Sequence, residues 1–243
     1  MDLEKLKNMI DESENIVFFG GAGTSTESNI PDFRTADTGL YSTKGEKYPP
    51  EQMLSHSFFI NHTEEFYKFY KDKMIYKDAE PNLAHLALSK LERQGKLKTV
   101  ITQNIDGLHQ RAGSENVLEL HGSVYRNKCM KCRKSYNIED IIKSEEIIPK
   151  CRKCGGIIKP EVVLYEEGLN QEVIESAIEY IANADVLIVG GTSLVVYPAA
   201  GLIEYYRGDK LVLINKSTTP YDNRADLVIQ DSIGKALDYV VRD

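Results

Sequence analysis

The chain has 243 residues, of which 42% are hydrophobic and 28% are charged, an ordinary balance for a soluble globular protein with one sizeable core and room for a small second module. Lys and Arg number 30 against 37 Asp and Glu, a formal net charge of −7, which argues against a surface that coats nucleic acid in general. No apolar run reaches membrane-spanning length and the N-terminus is charged and amphipathic, so we expect a cytoplasmic protein with no membrane partner.

The beginning of the sequence predicts a helix and then a buried strand. Leu3, Leu6 and Ile10 recur at helical spacing, and residues 16–19 are an apolar run of β-forming residues. Residues 20–23, GGAG, follow at once. Glycines directly after a buried strand let the backbone turn sharply and approach a ligand, and N–H groups there can hold a diphosphate. An ordinary strand-to-helix turn would contain the same glycines, so this stretch alone leaves both interpretations open.

The segment after the glycines departs from a standard dinucleotide-binding unit. Such a unit continues through a long helix into a second strand, with a ribose-binding acid about twenty residues on. Here residues 35–50 are polar and predict a loop, which disfavours an NAD-dependent dehydrogenase. Residues 30–34, IPDFR, place an aromatic ring, an acid and a base beside a stiff proline. That group suits binding of a flat polar ring, as an enzyme that detaches nicotinamide requires.

Three helices are predicted next, around residues 52–60, around residues 63–74, and from Pro81 to Gly95. The second carries an aromatic stripe that we assign to core packing rather than to a ligand: Phe66, Tyr67, Phe69 and Tyr70. The third is predicted to place three leucines on its apolar side: Leu83, Leu86 and Leu91.

Two further strands end in polar residues. Residues 97–102 predict a strand that leads into QNIDGLH at 103–109, which puts amide and carboxylate groups at the carboxyl edge of a parallel sheet, where α/β folds bind ligands. Residues 117–120 predict a strand that ends at His121. Histidine titrates near neutrality and suits proton abstraction. From the sequence alone, catalytic and structural roles for His121 both remain open.

Cysteines occur only as two C-x-x-C pairs, Cys129 with Cys132 and Cys151 with Cys154, separated by residues 133–150. This spacing is typical of a zinc ribbon. Disulfides are disfavoured in a cytosolic chain, and a thioredoxin-like motif is disfavoured because two pairs bracket one insert. Four thiolates fill the zinc tetrahedron, so the metal would be structural. Lys and Arg crowd the pairs and would offset the charge of a tetrathiolate centre; a nucleic-acid-binding ribbon is the alternative.

The second half predicts more alternation of strands and helices. Residues 159–167 are rich in β-forming residues, and residues 190–193, GGTS, again place glycines and hydroxyls between a strand and a helix, as a phosphate site would. The remaining predicted strands are 185–189, 210–214 and 227–229, and helices are predicted after the caps Asn170 and Ser232 and after Pro198.

Three sequence blocks resemble the signatures of the sirtuins, the NAD-dependent protein lysine deacylases. They are GAGTSTESNIPDFR at 21–34, TQNIDGLH at 102–109 and GTSLVVYPA at 191–199, and the resemblance extends to about Ile233, nearly the whole chain. The family usually has glycine where Asn29 stands, a mild departure because Asn tolerates positive φ. It also usually has glycine where Glu166 stands, a departure that affects the local turn and the peptide preference.

The resemblance implies a fold and a domain organisation. The fold is α/β, with a large Rossmann-like parallel-sheet domain formed by residues 1–123 and 160–243. A helical module at about residues 36–76 covers the cofactor. Residues 124–159 form a small inserted zinc-ribbon module. We expect the protein to be a monomer and do not expect nucleic acid as a direct ligand.

The resemblance also implies site residues. His121 is the catalytic general base, and Asn104 belongs to the catalytic centre. The cofactor NAD is bound by Gly21, Ala22, Gly23, Thr26, Asp32, Phe33, Arg34, Gln103, Asn104, Ile105, Asp106, Thr192, Ser193, Asn215, Ser232 and Ile233. The substrate peptide is added as a strand between two segments, made of Val163, Leu164 and Tyr165 and of Leu194, Val195 and Val196. One structural Zn²⁺ per chain is bound by Cys129, Cys132, Cys151 and Cys154.

By the same resemblance the chain is an NAD-dependent protein deacetylase. The carbonyl oxygen of an acetylated lysine attacks C1′ of the nicotinamide ribose, and nicotinamide leaves to give a covalent O-alkylimidate. His121 acts as base through the ribose hydroxyls so that the 2′-oxygen can attack, and water then completes the release of deacylated lysine and O-acyl-ADP-ribose. Sirtuins that prefer acidic acyl groups have Tyr and Arg three residues apart, whereas this chain has Tyr67 and Tyr70, which implies acetyl and other uncharged acyl groups.

Two alternatives remain open at this point. A protein ADP-ribosyltransferase would share the fold and the cofactor. A non-enzymatic zinc-ribbon adaptor for protein or nucleic acid would leave TQNID at 102–106, HG at 121–122 and GTSLVVYP at 191–198 without a role.

Overall fold

The computed structural model describes residues 1–33, 39–40 and 47–242. Its strands are β1 (Ile16–Gly20), β2 (Leu97–Thr102), β3 (Val117–Glu119), β4 (Gly122–Cys129), β5 (Ser135–Tyr136), β6 (Ile158–Val162), β7 (Val186–Gly190), β8 (Leu211–Ile214) and β9 (Leu227–Ile229). Its α-helices are α1 (Asp2–Asp11), α2 (Pro50–Met53), α3 (His56–Asn61), α4 (Thr63–Lys73), α5 (Leu83–Arg93), α6 (Leu108–Arg111), α7 (Ile138–Ile142), α8 (Gln171–Ala182) and α9 (Ile233–Val241). Within these described ranges, no helix has the length and apolar character needed to cross a membrane.

A parallel sheet with the strand order β3-β2-β1-β7-β8-β9 forms the centre of the described structure. The chain starts in the middle with β1, adds β2 and β3 on one side, and returns to add β7, β8 and β9 on the other. The order therefore reverses between β1 and β7, which is where sheets of this class bind ligands, at the carboxyl ends of the strands. The predicted Rossmann-like fold is confirmed.

Both faces of the parallel sheet are covered, because successive side chains of each strand point to opposite sides. In β1, Ile16 and Phe18 belong to an apolar cluster built with α1, α5 and α9. Val17 and Phe19 belong to a second cluster built with α8 and the 3₁₀ helix Ala199–Tyr205. This double burial explains why the strand is a continuous apolar run rather than an alternating one.

A second, antiparallel sheet with the order β5-β4-β6 carries the four cysteines or borders them. It shares a third apolar cluster with α2, α3 and α4. The aromatic stripe of α4 is buried in this cluster, as predicted. The chain enters this sheet directly after His121 and leaves it directly before Val163. Gly122 has φ +76° and pairs with Val162, and a Cβ at Gly122 would lie 1.9 Å from the carbonyl oxygen of Glu161. Glycine is therefore required where the two sheets meet.

Three predicted helices differ from the structure. Residues 52–60, predicted as one helix, belong to α2 and α3, which are separated at Leu54 and Ser55. Helix α5 begins at Leu83, capped by Asn82 rather than opened by Pro81, and Leu83 and Leu86 are 46% and 48% exposed. The prediction for these two leucines was wrong because the buried face combines two small residues, Ala84 and Ala87, with Leu88 and Leu91, and the alanines let α5 approach α9 closely. Leu91 is buried as predicted. The segment after Pro198 is a 3₁₀ helix rather than an α-helix.

Candidate functional site

Loops from the carboxyl ends of the parallel strands meet at one edge of the sheet. The Gln103 N–H donates to the Gly20 carbonyl over 3.0 Å, and the Gly23 N–H donates to the Gly191 carbonyl over 2.7 Å. These two bonds join the loop after β1 to the loops after β2 and β7. The edge is therefore one connected surface, although its loops are far apart in sequence.

The glycines at this edge allow its loops to pack against each other. A Cβ at Gly21 would lie 2.8 Å from Thr192 Cβ, and a Cβ at Gly23 would lie 2.8 Å from Gly191 Cα. Gly191 itself has φ +60°, and a Cβ there would lie 2.3 Å from the Thr24 nitrogen. The sequence predicted close approach of a ligand at Gly21 and Gly23; the structure adds that the two loops also need these glycines to approach each other.

Asn215, at the end of β8, carries a polar group that fits a bound nucleotide. Its Oδ1 accepts the Thr192 N–H over 3.0 Å. Its Nδ2 is buried and has no hydrogen-bond partner in the described part of the chain. A buried donor without a partner is unfavourable by about 1–3 kcal/mol. A ligand hydroxyl at this edge would satisfy it, so the residues present suit a dinucleotide such as NAD.

The QNID segment forms a partly buried polar group with the loop after β1. Ser25 Oγ donates to Asp106 Oδ2 over 2.7 Å, and Asn104 Nδ2 donates to Ser25 Oγ over 3.0 Å. Burial raises the pKa of Asp106, although hydrogen bonds from Leu108 and Ser25 act in the opposite direction. Asn104 and Asp106 thus lie together as predicted sites would. Sequence reasoning did not identify Ser25, which joins them, because a serine within a glycine-rich loop carries no distinguishing pattern.

His121 is placed as a neutral base. Its Nδ1 lies 2.9 Å from the carbonyl oxygen of Gln103, and a carbonyl can only accept, so Nδ1 carries the proton and Nε2 keeps its lone pair. Burial lowers the pKa of His121, which outweighs the opposite effect of the bond to Gln103. The same bond fixes the ring orientation. This histidine can therefore accept a proton at neutral pH.

The other histidines lie elsewhere. His85 and His109 are fully buried next to each other, with ring centroids 4.7 Å apart. His56 and His62 belong to the start and end of helix α3. Only His121 lies where the two sheets meet.

The two predicted peptide segments both connect to the surroundings of His121. The Val163 N–H donates to the His121 carbonyl over 2.9 Å. The other segment begins at Leu194, two residues after Thr192, whose Oγ1 accepts from Gln103 Nε2 over 3.2 Å. Val195 is 48% exposed. The side chains of Leu164 and Leu194 are buried in the apolar clusters, so these two side chains are not accessible to a peptide.

Several other predicted cofactor residues lie in the segments that follow β1, β2 and β7. Thr26 Oγ1 donates to the Gly23 carbonyl over 3.0 Å, within the short 3₁₀ turns that contain Ala22. Ile105 accepts a backbone bond from Val124, and Ser193 is exposed. Asp32 and Phe33 are half-buried, and Arg34 lies outside the described residues.

Asn29 has φ +60°, the conformation that makes asparagine an acceptable replacement for glycine.

Glu27, which was not predicted as a site residue, connects the segment after β1 to the segment after β9. Glu27 Oε1 accepts from Ser232 Oγ over 2.7 Å and from the Gly234 N–H over 3.1 Å. Ile233, between them, is 4% exposed and packs in the first cluster, so its backbone is what a ligand can reach. No local pattern distinguishes Glu27 from an ordinary surface acid, because its partners lie more than 200 positions along the chain.

The four cysteine sulfurs converge away from this edge. All four Sγ atoms lie within 4.8 Å of one another, with Cys129 and Cys154 3.5 Å apart and Cys132 and Cys151 3.6 Å apart. Zinc–sulfur bonds of about 2.3 Å in a tetrahedron place sulfurs about 3.8 Å apart. The Tyr136 hydroxyl donates to Cys151 Sγ over 3.0 Å. This donor set fits a structural zinc ion and leaves no position for a reacting water.

Comparisons with known proteins agree with this geometry. A model of the Sir2 family matches residues 21–198. A Clostridium acetobutylicum protein named NAD-dependent protein deacetylase is 66% identical over 240 residues, which cover 98% of each chain. A Clostridium tetani protein with the same name is 65% identical over 245 residues, which cover 100% of this chain and 99% of the relative.

Solved structures resemble the chain over its whole length. A structure of Sir2 bound to acetylated peptide has a TM-score of 0.87 at 40% identity and covers 99% of this chain and 97% of its own. A structure of Sir2 with a peptide and NAD⁺ has a TM-score of 0.86 at 42% identity, with the same coverage of both chains. The similarity therefore includes the parallel sheet and the cysteine-bearing sheet together.

Proposed function

The chain belongs to the Sir2 family, the sirtuins, and from this premise we propose that it is an NAD-dependent protein deacetylase. It removes acetyl and other uncharged acyl groups from lysine side chains and releases nicotinamide and O-acyl-ADP-ribose. The observation that carries the proposal is the position of His121. Its side chain is hydrogen-bonded to Gln103 at the carboxyl edge of the parallel sheet, which we call the cofactor edge. Its carbonyl accepts the N–H of Val163, at the start of a predicted peptide segment. One base thus lies between both substrates.

In this proposal each group of residues has a defined task. The glycine loops and Asn215 hold the dinucleotide, and Asn104 and Asp106 surround its nicotinamide end. When bound, NAD supplies the ribose carbon that the acyl oxygen attacks. Residues 163–165 and 194–196 hold the peptide backbone as an added strand. Alignment of the two reactants can contribute roughly 7–11 kcal/mol to lowering the barrier.

His121 Nε2 then removes the proton of a ribose hydroxyl. General-base assistance of this kind contributes roughly 10²–10⁴-fold.

The buried tyrosines of α4 support uncharged acyl groups. Tyr67 and Tyr70 are both 0% exposed, and the Tyr67 hydroxyl donates to the Ile158 carbonyl. Burial raises the pKa of Tyr70. Neither residue supplies a cation, and both are enclosed in the third apolar cluster. A carboxylate on the acyl chain would therefore find no partner in this pair.

Incubation with an acetyl-lysine peptide, with and without NAD, tests the function. Mass spectrometry should detect nicotinamide, deacetylated peptide and O-acetyl-ADP-ribose in equal amounts, and only when NAD is present. Reduced cofactor absorbance would instead indicate a dehydrogenase. ADP-ribose attached to protein would indicate the transferase. If none of these products forms, the adaptor is the better interpretation.

The pH dependence of the reaction should report the lowered pKa of His121. The base must be neutral, so activity is lost as pH falls through its pKa, and burial moves that pKa below the ordinary value of 6.5. We therefore expect kcat/KM to be nearly constant from pH 7 to 8 and its acid limb to have its midpoint below about pH 6.5. A midpoint above that value would contradict a buried, neutral His121 as the base.

Changing Asn215 to Asp should weaken NAD binding selectively. The variant keeps an acceptor for the Thr192 N–H but replaces the buried Nδ2 donor with a second acceptor. We expect KM for NAD to rise about ten- to a hundredfold, equivalent to ~1–3 kcal/mol, with KM for the peptide unchanged. Asn137→Asp is the matched control, because Asn137 caps α7 and Asp caps equally well. An unchanged KM for NAD in Asn215→Asp would exclude Asn215 from the cofactor site.

A cytoplasmic location, a monomeric state and the division into domains are further parts of the proposal. The four cysteines form no disulfide and converge as a metal-binding set, which suits a reducing compartment. The shared third cluster supports treating α2–α4 and the zinc-ribbon module as neighbours that pack as a unit. The molar mass from light scattering at micromolar concentration tests whether the protein is a monomer.

A further inference from the structure

The turn formed by residues 163–167 contains a strained residue. Glu166 has φ +75°, a conformation that glycine adopts freely and that a residue with a Cβ rarely adopts. Such strain persists only when surrounding contacts hold the residue in place. The contacts that do so are therefore informative about what this turn requires.

The carboxylate of Glu166 binds the first turn of helix α3 with both oxygens. Oε2 accepts the Ser57 N–H over 2.8 Å, and Oε1 accepts the Ser57 hydroxyl over 2.8 Å. The N–H groups in the first turn of a helix have no partner within the helix, so the carboxylate satisfies one of them. These bonds hold the pKa of Glu166 below its usual value, and the group stays ionised at neutral pH.

The neighbouring residues strengthen the same connection. The His56 N–H donates to the Tyr165 carbonyl over 2.9 Å, and the Tyr165 N–H donates to the Leu54 carbonyl over 3.0 Å. Glu167 contacts His56 Nδ1 at 2.9 Å and accepts the Leu164 N–H over 2.9 Å. The turn is thereby fixed on one side to α3. On its other side, Val163 is fixed to the carbonyl of His121.

We propose that Glu166 is a positioning residue for the peptide substrate, which holds the 163–167 turn against α3 so that the backbone of residues 163–165 is ordered before the peptide binds. The inference rests on the proposed function. Glu166 does not touch the reacting atoms in this scheme. Its effect is to reduce the conformational entropy that the turn loses when a peptide strand is added.

Glu166→Gly is the direct test, because glycine accepts the observed φ and the variant should fold. Loss of both bonds should raise KM for an acetyl-lysine peptide about three- to tenfold, with kcat and KM for NAD within about twofold of the original. Glu145→Gly removes the same side chain from an exposed loop and should leave all three constants unchanged. Glu166→Gln, which retains one acceptor oxygen, should lie between the original chain and Glu166→Gly.

Ser57→Ala tests the pairing itself. It removes the hydroxyl donor and should raise KM for the peptide by a smaller factor. The double variant with Glu166→Gly should be no worse than Glu166→Gly alone, because both changes act on one interaction. Additive effects of the two substitutions would overturn the pairing.

Hydrogen exchange separates this inference from the proposed function. The Ser57 amide should be protected in the original chain and exchange faster in Glu166→Gly, whether or not the protein deacetylates peptides. Unchanged exchange at Ser57 would refute the contact. Faster exchange with an unchanged KM for the peptide, or with equal losses in kcat and in KM for NAD, would refute the positioning role. A chain with no deacetylase activity but with this exchange pattern would refute the proposed function alone.

Discussion

Replacing His121 with alanine is expected to reduce kcat for deacetylation by roughly 10²–10⁴-fold, the usual contribution of a positioned general base. The fold should survive, because within the described residues the side chain makes one hydrogen bond, to the Gln103 carbonyl. The bond from the Val163 N–H goes to the backbone carbonyl of His121 and remains in the variant. The measurement is the initial rate at saturating NAD and peptide, with NAD affinity determined by calorimetry.

His62→Ala is the matched control for this substitution. His62 stacks on Phe58 at the end of α3 and is half-exposed, so its loss should leave kcat within about twofold. Unchanged NAD affinity in His121→Ala would show that the cofactor edge is intact. Full activity in that variant would remove His121 from the mechanism and require another base.

The parallel strands could be predicted from the sequence because a strand buried on both faces is a continuous apolar run. Residues 97–102 and 227–229 were predicted with the observed bounds, and residues 16–19 extend by one residue to Gly20. A continuous apolar run flanked by glycine or polar residues has few other structures available. Parallel strands also place their carboxyl ends together, which is why motifs distant in sequence could be expected at one edge.

Helix orientation was less predictable, because an amphipathic pattern can be placed in more than one phase. In α5 the large residues Leu83 and Leu86 are exposed, while Ala84 and Ala87 are buried. Hydrophobicity favours the leucines, but close packing against α9 selects the small residues. Only the tertiary contact decides between them.

Long-range hydrogen bonds could not be predicted from sequence. Ser25, Glu27 and Ser57 are ordinary polar residues in their local context. Each becomes significant through a partner at the other side of a loop or at the far end of the chain: Asp106, Ser232 and Glu166. The resemblance to a family identifies positions that bind ligands, whereas the contacts that position those residues become visible only in three dimensions.

Replacing Cys129 with serine is expected to release zinc and to unfold the cysteine-bearing sheet. Structural zinc sites contribute about 10–16 kcal/mol of apparent binding free energy in small metal-binding peptides, comparable to the whole net stability of a domain, about 5–15 kcal/mol. Cys129 is 0% exposed and packs in the third apolar cluster with Tyr136 and helices α3 and α4. Loss of the metal should therefore lower Tm by roughly 20 °C or more and disturb the helices as well.

Met130→Ser is the matched control for Cys129→Ser. Met130 lies next to Cys129, is 43% exposed and contributes no sulfur to the four-cysteine cluster. Its zinc content, measured by atomic emission after dialysis, should remain one per chain, while that of Cys129→Ser should fall below one tenth. Stoichiometric zinc in Cys129→Ser would refute the four-sulfur assignment.

Because the antiparallel sheet joins the parallel sheet directly at His121 and Val163, zinc loss should also abolish deacetylation, although no cysteine lies at the cofactor edge. Retained activity in a zinc-free, partly unfolded variant would show that peptide binding by residues 163–165 and 194–196 does not depend on this sheet.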